Sequence, residues 1–417
     1  MSRWLYTLLF VLAMPLVLLR LWWKGRRLPA YRQHLGERFG HYLPVSGDVI
    51  WLHAVSVGET HAAAPLVRRL LQAYPDCTLL LTQMTPTGRE AARQLFGDSV
   101  RCVYLPYDLP WLTDRFLRHF RPRFGILMET EVWPNLVGSC QRLGVPLMLV
   151  NARLSERSAK GYQRLRWLAG PAFAGLDAVA AQTIADAERI VALGARRVEV
   201  CGNIKFDVQP PGQLDQQADT LRELIGSRLV LLLASTRDGE EALLLDAFRL
   251  QDWPENLLLV MVPRHPQRFD EVLALMQQRG LSVSRRSQSA PVGAGTRAWL
   301  GDSMGEMFAY YRVADVAIIG GSIAPLGGQN LIEACAVGTP VLFGPHMFNF
   351  AEASQLAIHA GAARQADNAA QLMQQAAALL ADPASRRAMG EAGRAFSVAH
   401  RGATDRIMGL LASVVGE

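Results

Sequence analysis

The sequence predicts an α/β protein of two domains, each a parallel sheet flanked by helices, preceded by an N-terminal membrane-anchor helix. Three observations predict it. Apolar runs recur along the chain with helical patterns between them, and they are continuous rather than alternating, as strands covered on both faces require. A polar, proline-rich joint, Pro210–Gln217, divides the series in two. An uncharged stretch, Trp4–Leu19, opens the chain ahead of the first strand. Domain limits follow: 1–24 for the anchor, 25–207 for the first domain, and 208–417 for the second domain with its closing helices.

The 417 residues are enough for more than one full core. A composition 50% hydrophobic and 19% charged excludes a disordered chain. The formal charge of +6 is uneven: Arg20, Lys24, Arg26, Arg27, Arg32 and Arg38 face only Glu37. Directly after an apolar stretch, such a cluster points to anionic lipid rather than nucleic acid. The five cysteines are scattered, without CxxC spacing or a His/Cys cluster. That pattern reads as reduced, buried thiols in a cytosolic compartment, with no metal site.

Taken in order, the first element is the anchor. A secretory signal carries its basic region before the apolar core, and here the basic cluster lies after it. Trp22 and Trp23 suit the membrane interface, and Lys24, Arg26 and Arg27 suit the cytoplasmic face, so the anchor is uncleaved and the rest of the chain cytoplasmic. The run is close to the shortest that spans a bilayer and contains Pro15, so spanning and lying in the interface both stay open.

Strands of the first domain are read at Val49–Leu52, Thr78–Leu81, Cys102–Leu105, Gly125–Met128, Pro146–Val150, Ala178–Ala181 and Val198–Cys201. Ligands of open parallel sheets sit at the carboxyl ends of strands, so the polar residues there are the candidates. Glu59 follows the first strand at a loop-to-helix junction. It is either an acid favouring the helix dipole or a general base taking a proton from an attacking hydroxyl. His53 and His61 lack the spacing and the third ligand of a metal site, and are read as satisfied polar residues. The fourth strand ends in Glu129-Thr130-Glu131, a carboxylate pair at a site position or a charged helix start. Asn151-Ala152-Arg153 follows the fifth strand, and Lys205 leaves the last one, within reach of an anionic ligand or in open water.

The second series has strands at Leu229–Ala234, Leu257–Val262, Leu281–Ser284, Ala298–Leu300, Val316–Ile319 and Val341–Phe343, with a helical tail over Asn368–Val415. Its strand ends carry Ser235-Thr236-Arg237, then Arg264-His265, then Asp302 to Glu306, and finally a glycine-rich loop, Gly320 to Gly328. That loop leads into a helical pattern, Asn330–Val337, with Glu333 on its first turn. Glycine-rich turns ahead of a helix suit a phosphate, and a carboxylate beside them suits ribose hydroxyls. Arg264 offers a fork of donors for phosphate.

In this order the motifs resemble those of the 3-deoxy-D-manno-octulosonic acid (Kdo) transferases. They are HAVSVGET at 53–60, METEVWPN at 128–135, NARLS at 151–155, GNIKFD at 202–207, PRHPQRF at 263–269, DSMGEM at 302–307, GGSIAPLGGQNLIEACAVGTPVLFGP at 320–345 and FNFAE at 348–352. The resemblance implies a GT-B fold, two Rossmann-like domains facing across a cleft. It further implies inverting transfer of Kdo from CMP-Kdo to the lipid A precursor in lipopolysaccharide biosynthesis. The partners would be that donor, that acceptor and the cytoplasmic face of the inner membrane, with no cofactor, metal or nucleic acid. By the same resemblance Glu59 is the base, and Glu129 and Lys205 stabilise the transition state. Arg264, His265, Met304, Gly305, Glu306, Asn330, Leu331, Ile332 and Glu333 bind CMP. One departure is Gln329, where many relatives carry His.

Two rivals stand beside this reading. One is another GT-B protein, a UDP-sugar transferase or a sugar-nucleotide epimerase. The other is a membrane-tethered nucleotide-sugar binding protein, which has no need of a base at Glu59.

Overall fold

The computed structural model describes residues 2–417, without the side chains of Ser2 and Arg27, so Met1 of the predicted anchor and the Arg27 charge lie outside the described residues. The chain forms two compact units: the first comprises the chain up to Asp207 together with Arg401–Glu417, and the second Val208–His400.

In unit 1 the strands are β1 (Val49–His53), β2 (Thr78–Gln83), β3 (Arg101–Tyr104), β4 (Gly125–Met128), β5 (Leu147–Ala152), β6 (Ala178–Ala181) and β7 (Val198–Val200). They form one sheet in the order β3-β2-β1-β4-β5-β6-β7, and every pairing is parallel. The continuous apolar runs have a direct cause. Successive side chains point to opposite faces, and both faces are cores: Ile50 and Leu52 join one cluster, Val49 and Trp51 the other. Each fully buried Leu or Ile contributes about 1.5–3 kcal/mol against chain entropy. Gly125 sits beside the Trp51 indole, where a Cβ would come within 2.5 Å of the ring.

The tail, assigned from sequence to the second domain, divides. Its last helix, Ala403–Val415, places Ile407, Leu410 and Leu411 in the unit 1 core. Asp207 holds the start of that helix by accepting the N–H groups of Gly402 (2.7 Å) and Ala403 (3.3 Å) and that of Thr404.

Unit 2 contains β8 (Leu229–Thr236), β9 (Leu257–Pro263), β10 (Val283–Arg285), β11 (Ala298–Leu300), β12 (Val316–Ile319), β13 (Val341–Phe343) and β14 (Ala363–Gln365), parallel in the order β10-β11-β9-β8-β12-β13-β14. The edge strand β14 escaped the sequence reading because Ala-Arg-Gln is short and polar.

The predicted anchor is one helix, Ser2–Arg27, with Pro15 inside it. Its Arg3–Arg26 stretch, mean hydropathy 2.0, is long and apolar enough to cross a membrane.

Candidate active site

In unit 1 the strand order reverses between β1 and β4, which pair with His53 level with Leu127. Such switch points open a crevice at the strands' carboxyl ends. Glu59 follows β1 there, and Glu129 and Glu131 follow β4.

Glu59 closes a capping box. Ser56 caps the short Val57–Ala62 helix by accepting the Glu59 N–H, and Ser56 Oγ donates back to Glu59 Oε1 at 3.1 Å. Glu59 Oε2 accepts the Val55 N–H at 2.9 Å. Glu59 is therefore a helix-start acid, and it is more than that. Burial pushes its carboxyl up to about 7, assisted by the charges of Glu129 and Glu131 and opposed by the hydrogen bonds from Val55 and Ser56.

Glu129 adopts φ +57°, a left-handed conformation uncommon for a residue with a side chain, while its N–H still bonds to Val150 O at 2.9 Å. The main chain thus stays in the sheet as it turns at the β4 end. Burial also raises the Glu131 carboxyl, against the hydrogen bond from Trp133 Nε1 (2.8 Å). The three acids lie in mutual electrostatic range, and two of them, Glu59 and Glu131, are raised, which makes this strand-end cluster the candidate site of unit 1.

Lys205 lies on the turn Ile204–Asp207 after β7. A relay fixes that turn: Asn151 Oδ1 accepts the Ile204 N–H (3.1 Å), Gln182 Nε2 donates to Asn151 O (2.9 Å), Asn203 Nδ2 donates to Gln182 Oε1 (3.1 Å), and Asn203 Oδ1 accepts the Lys205 N–H (3.0 Å). Asn151, at φ +52°, sits in a register shift of β5. His53 is buried with Nδ1 2.8 Å from Thr82 Oγ1, and burial lowers it to about 4, so it is a neutral core group. No metal-ligating cluster occurs among the described residues. A cavity of about 800 Å³ at the β3 edge, lined by Arg89, Arg93, Arg101 and His119 among others, contains none of the three acids.

In unit 2 the reversal falls between β8 and β12. β8 ends in a register shift at Ser235 (φ +57°), and β12 ends in the glycine loop. Glu240, which the sequence reading passed over, joins them. It is fully buried, and Oε1 accepts the N–H groups of Arg237 (2.9 Å) and Gly321 (2.5 Å). Its only sequence signal is an acid at a helix start, which is too common to single it out.

Two of the glycine amides expected to meet a phosphate are thus used internally: Gly321 N–H by Glu240, and Gly328 N–H by Gly321 O (2.8 Å). Gly327 and Gly328 have φ +92° and +73°, and a Cβ on either would collide with Asn349 or Met347. These glycines shape the turn and let the 347–349 segment close over it.

The helix after the loop is shorter than predicted, Ile332–Val337. Asn330 Oδ1 takes the Ile332 N–H (3.0 Å), and its Nδ2 donates to Glu333 Oε1 (3.0 Å). Burial pushes Glu333 up to about 6, opposed by the Asn330 bond and by Arg264. Leu331 and Ile332 are fully buried, so they offer a ligand only main chain. His265 is depressed by burial and by Arg237, Arg264 and Arg268. Arg268 is neutralised by Glu241 at 2.6 Å and Glu271 at 2.7 Å, whereas Arg237 and Arg264 have no ion pair among the described residues. Two guanidinium groups, Arg237 and Arg264, thus stand at these strand ends without a salt bridge among the described residues, while Asp238 adds a third acid to Arg268 at 3.5 Å. Met304 is exposed, Gly305 has φ +79°, and Glu306 pairs with Arg286 at 2.9 Å.

A family model described as 3-deoxy-D-manno-octulosonic-acid transferase (kdotransferase) matches residues 33–208. A Bordetella pertussis protein named 3-deoxy-D-manno-octulosonic acid transferase is 45% identical over 433 aligned residues, covering 100% of both chains. The chain belongs to the Kdo transferases. A second Kdo transferase, from Haemophilus influenzae, is 38% identical over 99% of this chain and 98% of its own.

Among solved structures, UDP-GlcNAc 2-epimerase from Neisseria meningitidis aligns with TM-score 0.58 at 14% identity, over 88% of this chain and 100% of its own. A glycosyltransferase from Rickettsia africae aligns at TM-score 0.56 and 13% identity, over 89% and 99%. At such identities these likenesses establish the GT-B fold alone. Membership of the Kdo transferases makes the protein a glycosyltransferase and removes the epimerase and the passive binder as rivals.

Proposed function

We propose that this Kdo transferase moves Kdo from CMP-Kdo to a sugar hydroxyl of the lipid A precursor, with inversion, at the cytoplasmic face of the inner membrane. The acceptor oxygen forms a bond to the anomeric carbon of Kdo as the bond from that carbon to the cytidylate oxygen breaks. The hydroxyl proton goes to Glu59, and the bonding electrons leave with the phosphate. Glu129 offsets oxocarbenium charge on the sugar, and Lys205 offsets charge on the departing phosphate. Arg264 and His265 hold the phosphate, while the 304–306 turn and Asn330 to Glu333 hold the nucleoside. No step is assigned to a metal ion.

The observation that supports this best is the Glu59 carboxyl at about 7. A base is most effective when its pKa lies near working pH, and burial beside two acids puts Glu59 there. The test is mass spectrometry of the product formed from CMP-Kdo and tetra-acylated lipid A precursor. A mass increase of one or more Kdo residues, lost in Glu59→Ala while CMP still binds, is expected. No Kdo adduct, or full turnover by Glu59→Ala, overturns the assignment.

A further inference from the structure

The anchor helix is docked on unit 1 from Arg3 to Val17, and the segment that follows the helix folds back on its last turns. At its start, the Arg3 side chain lies against Gly138. Thr7 Oγ1 accepts from Asn135 Nδ2 at 3.0 Å, and the Tyr6 hydroxyl bonds the buried Asp108 carboxylate. Asp108 in turn accepts the N–H groups of Asn135 (3.1 Å) and Leu136 (2.8 Å), so these contacts reach into the unit's own framework. In the middle, Phe10, Met14 and Val17 pack on Tyr107, Leu109 and Leu112. At its end, Arg32 donates to Trp22 O at 3.1 Å and lies against Gly25. The contacting positions 3, 7, 10, 14, 17 and 25 fall on one stripe at helical spacing.

The opposite face carries Trp4 (78% exposed), Leu8, Leu12, Leu16, Leu19 and Trp23. Beside the anchor packs the helix Arg166–Ala174, with Leu165 and Trp167 exposed and Arg164 and Arg166 without an acidic partner among the described residues.

A helix of this length is about 39 Å long, and one that spans a bilayer carries its first residues across roughly 30 Å of hydrocarbon, away from a protein body on the other side. Here the first turns are bonded to that body. We infer that the anchor does not cross the membrane: it lies in the plane of one leaflet, its inner stripe on unit 1 and its outer face in the acyl region of an anionic phospholipid bilayer, with both ends on the same side. The exposed tryptophans and unpaired arginines suit the headgroup level. This deepens the membrane reading above and rests on it.

The test uses the full-length enzyme with an epitope tag ahead of Met1, in sealed inverted and right-side-out inner-membrane vesicles. Protease is expected to remove the tag in inverted vesicles and spare it in right-side-out ones. In a Thr7→Cys, Asn135→Cys variant, oxidation within membranes is expected to give a 7–135 disulfide, identified by peptide mass spectrometry. A tag cleaved only in right-side-out vesicles, or no 7–135 linkage in membranes, overturns the in-plane helix and leaves membrane association intact. Recovery of the chain in the soluble fraction overturns both.

Discussion

Ser56 Oγ donates to Glu59 Oε1 at 3.1 Å while accepting the Glu59 N–H, so one residue serves both as helix cap and as acidifier of the candidate base. The hydrogen bond favours the charged carboxylate. Its removal in Ser56→Ala raises the Glu59 pKa further and costs about 1 kcal/mol of cap. The acid limb of kcat/KM against pH, centred near 7 in the parent, moves to higher pH.

Glu129→Gln moves the same limb the other way. The Glu129 charge raises Glu59, so neutralising it lowers the pKa and shifts the limb toward acid even as the maximal rate falls. A pH–rate profile for each variant checks the pair. Shifts in one direction for both refute this electrostatic account.

Glu59→Gln changes how stability depends on pH. The Glu59 carboxyl titrates near 7 folded and near 4.5 unfolded, so between these values the folded state holds the extra proton. Parental stability therefore falls as pH rises through this window, and the Gln variant lacks that fall. The Tm of Glu59→Gln relative to parent should improve from pH 5 to pH 8 by scanning calorimetry, with transfer down by roughly 10²–10⁴.

Glu240→Ala leaves the buried Gly321 N–H without its acceptor, at about 1–3 kcal/mol, and removes the acceptor of the half-buried Arg237 N–H as well. The glycine loop loses its tie to the β8 end, so CMP affinity falls by titration calorimetry as Tm drops.

Gly328→Ala forces a Cβ at φ +73° against Met347. The conformation alone costs roughly 1–2 kcal/mol, and the contact adds to it. Reduced thermal stability and weaker CMP binding are expected, with Glu59 titration unchanged.

Both sheets and most strand limits were legible because strands buried on two faces leave unbroken apolar runs, as in Ile50-Trp51-Leu52. The same apolar runs put Glu59, Glu129, Arg264 and the glycine loop after the carboxyl ends of strands, where the structure also has them. Other features depend on long-range partners. Glu240 acts through Gly321, 81 residues on, and Asp207 through Thr404, 197 residues on. The amides used up at Gly321 and Gly328 were equally hidden, since spacing gives no sign of which N–H already has an acceptor. The anchor's docked stripe was masked by an apolar outer face, so composition alone left its orientation open.

The cap that Asp207 places on the final helix has a consequence for biosynthesis. Unit 2 is one uninterrupted stretch inserted in the chain of unit 1, whose core waits for Ile407, Leu410 and Leu411. A ribosome therefore releases unit 2 complete while unit 1, translated first, still lacks its closing helix. The earlier half of the message finishes folding last, and a chain stopped at His400 leaves that half open.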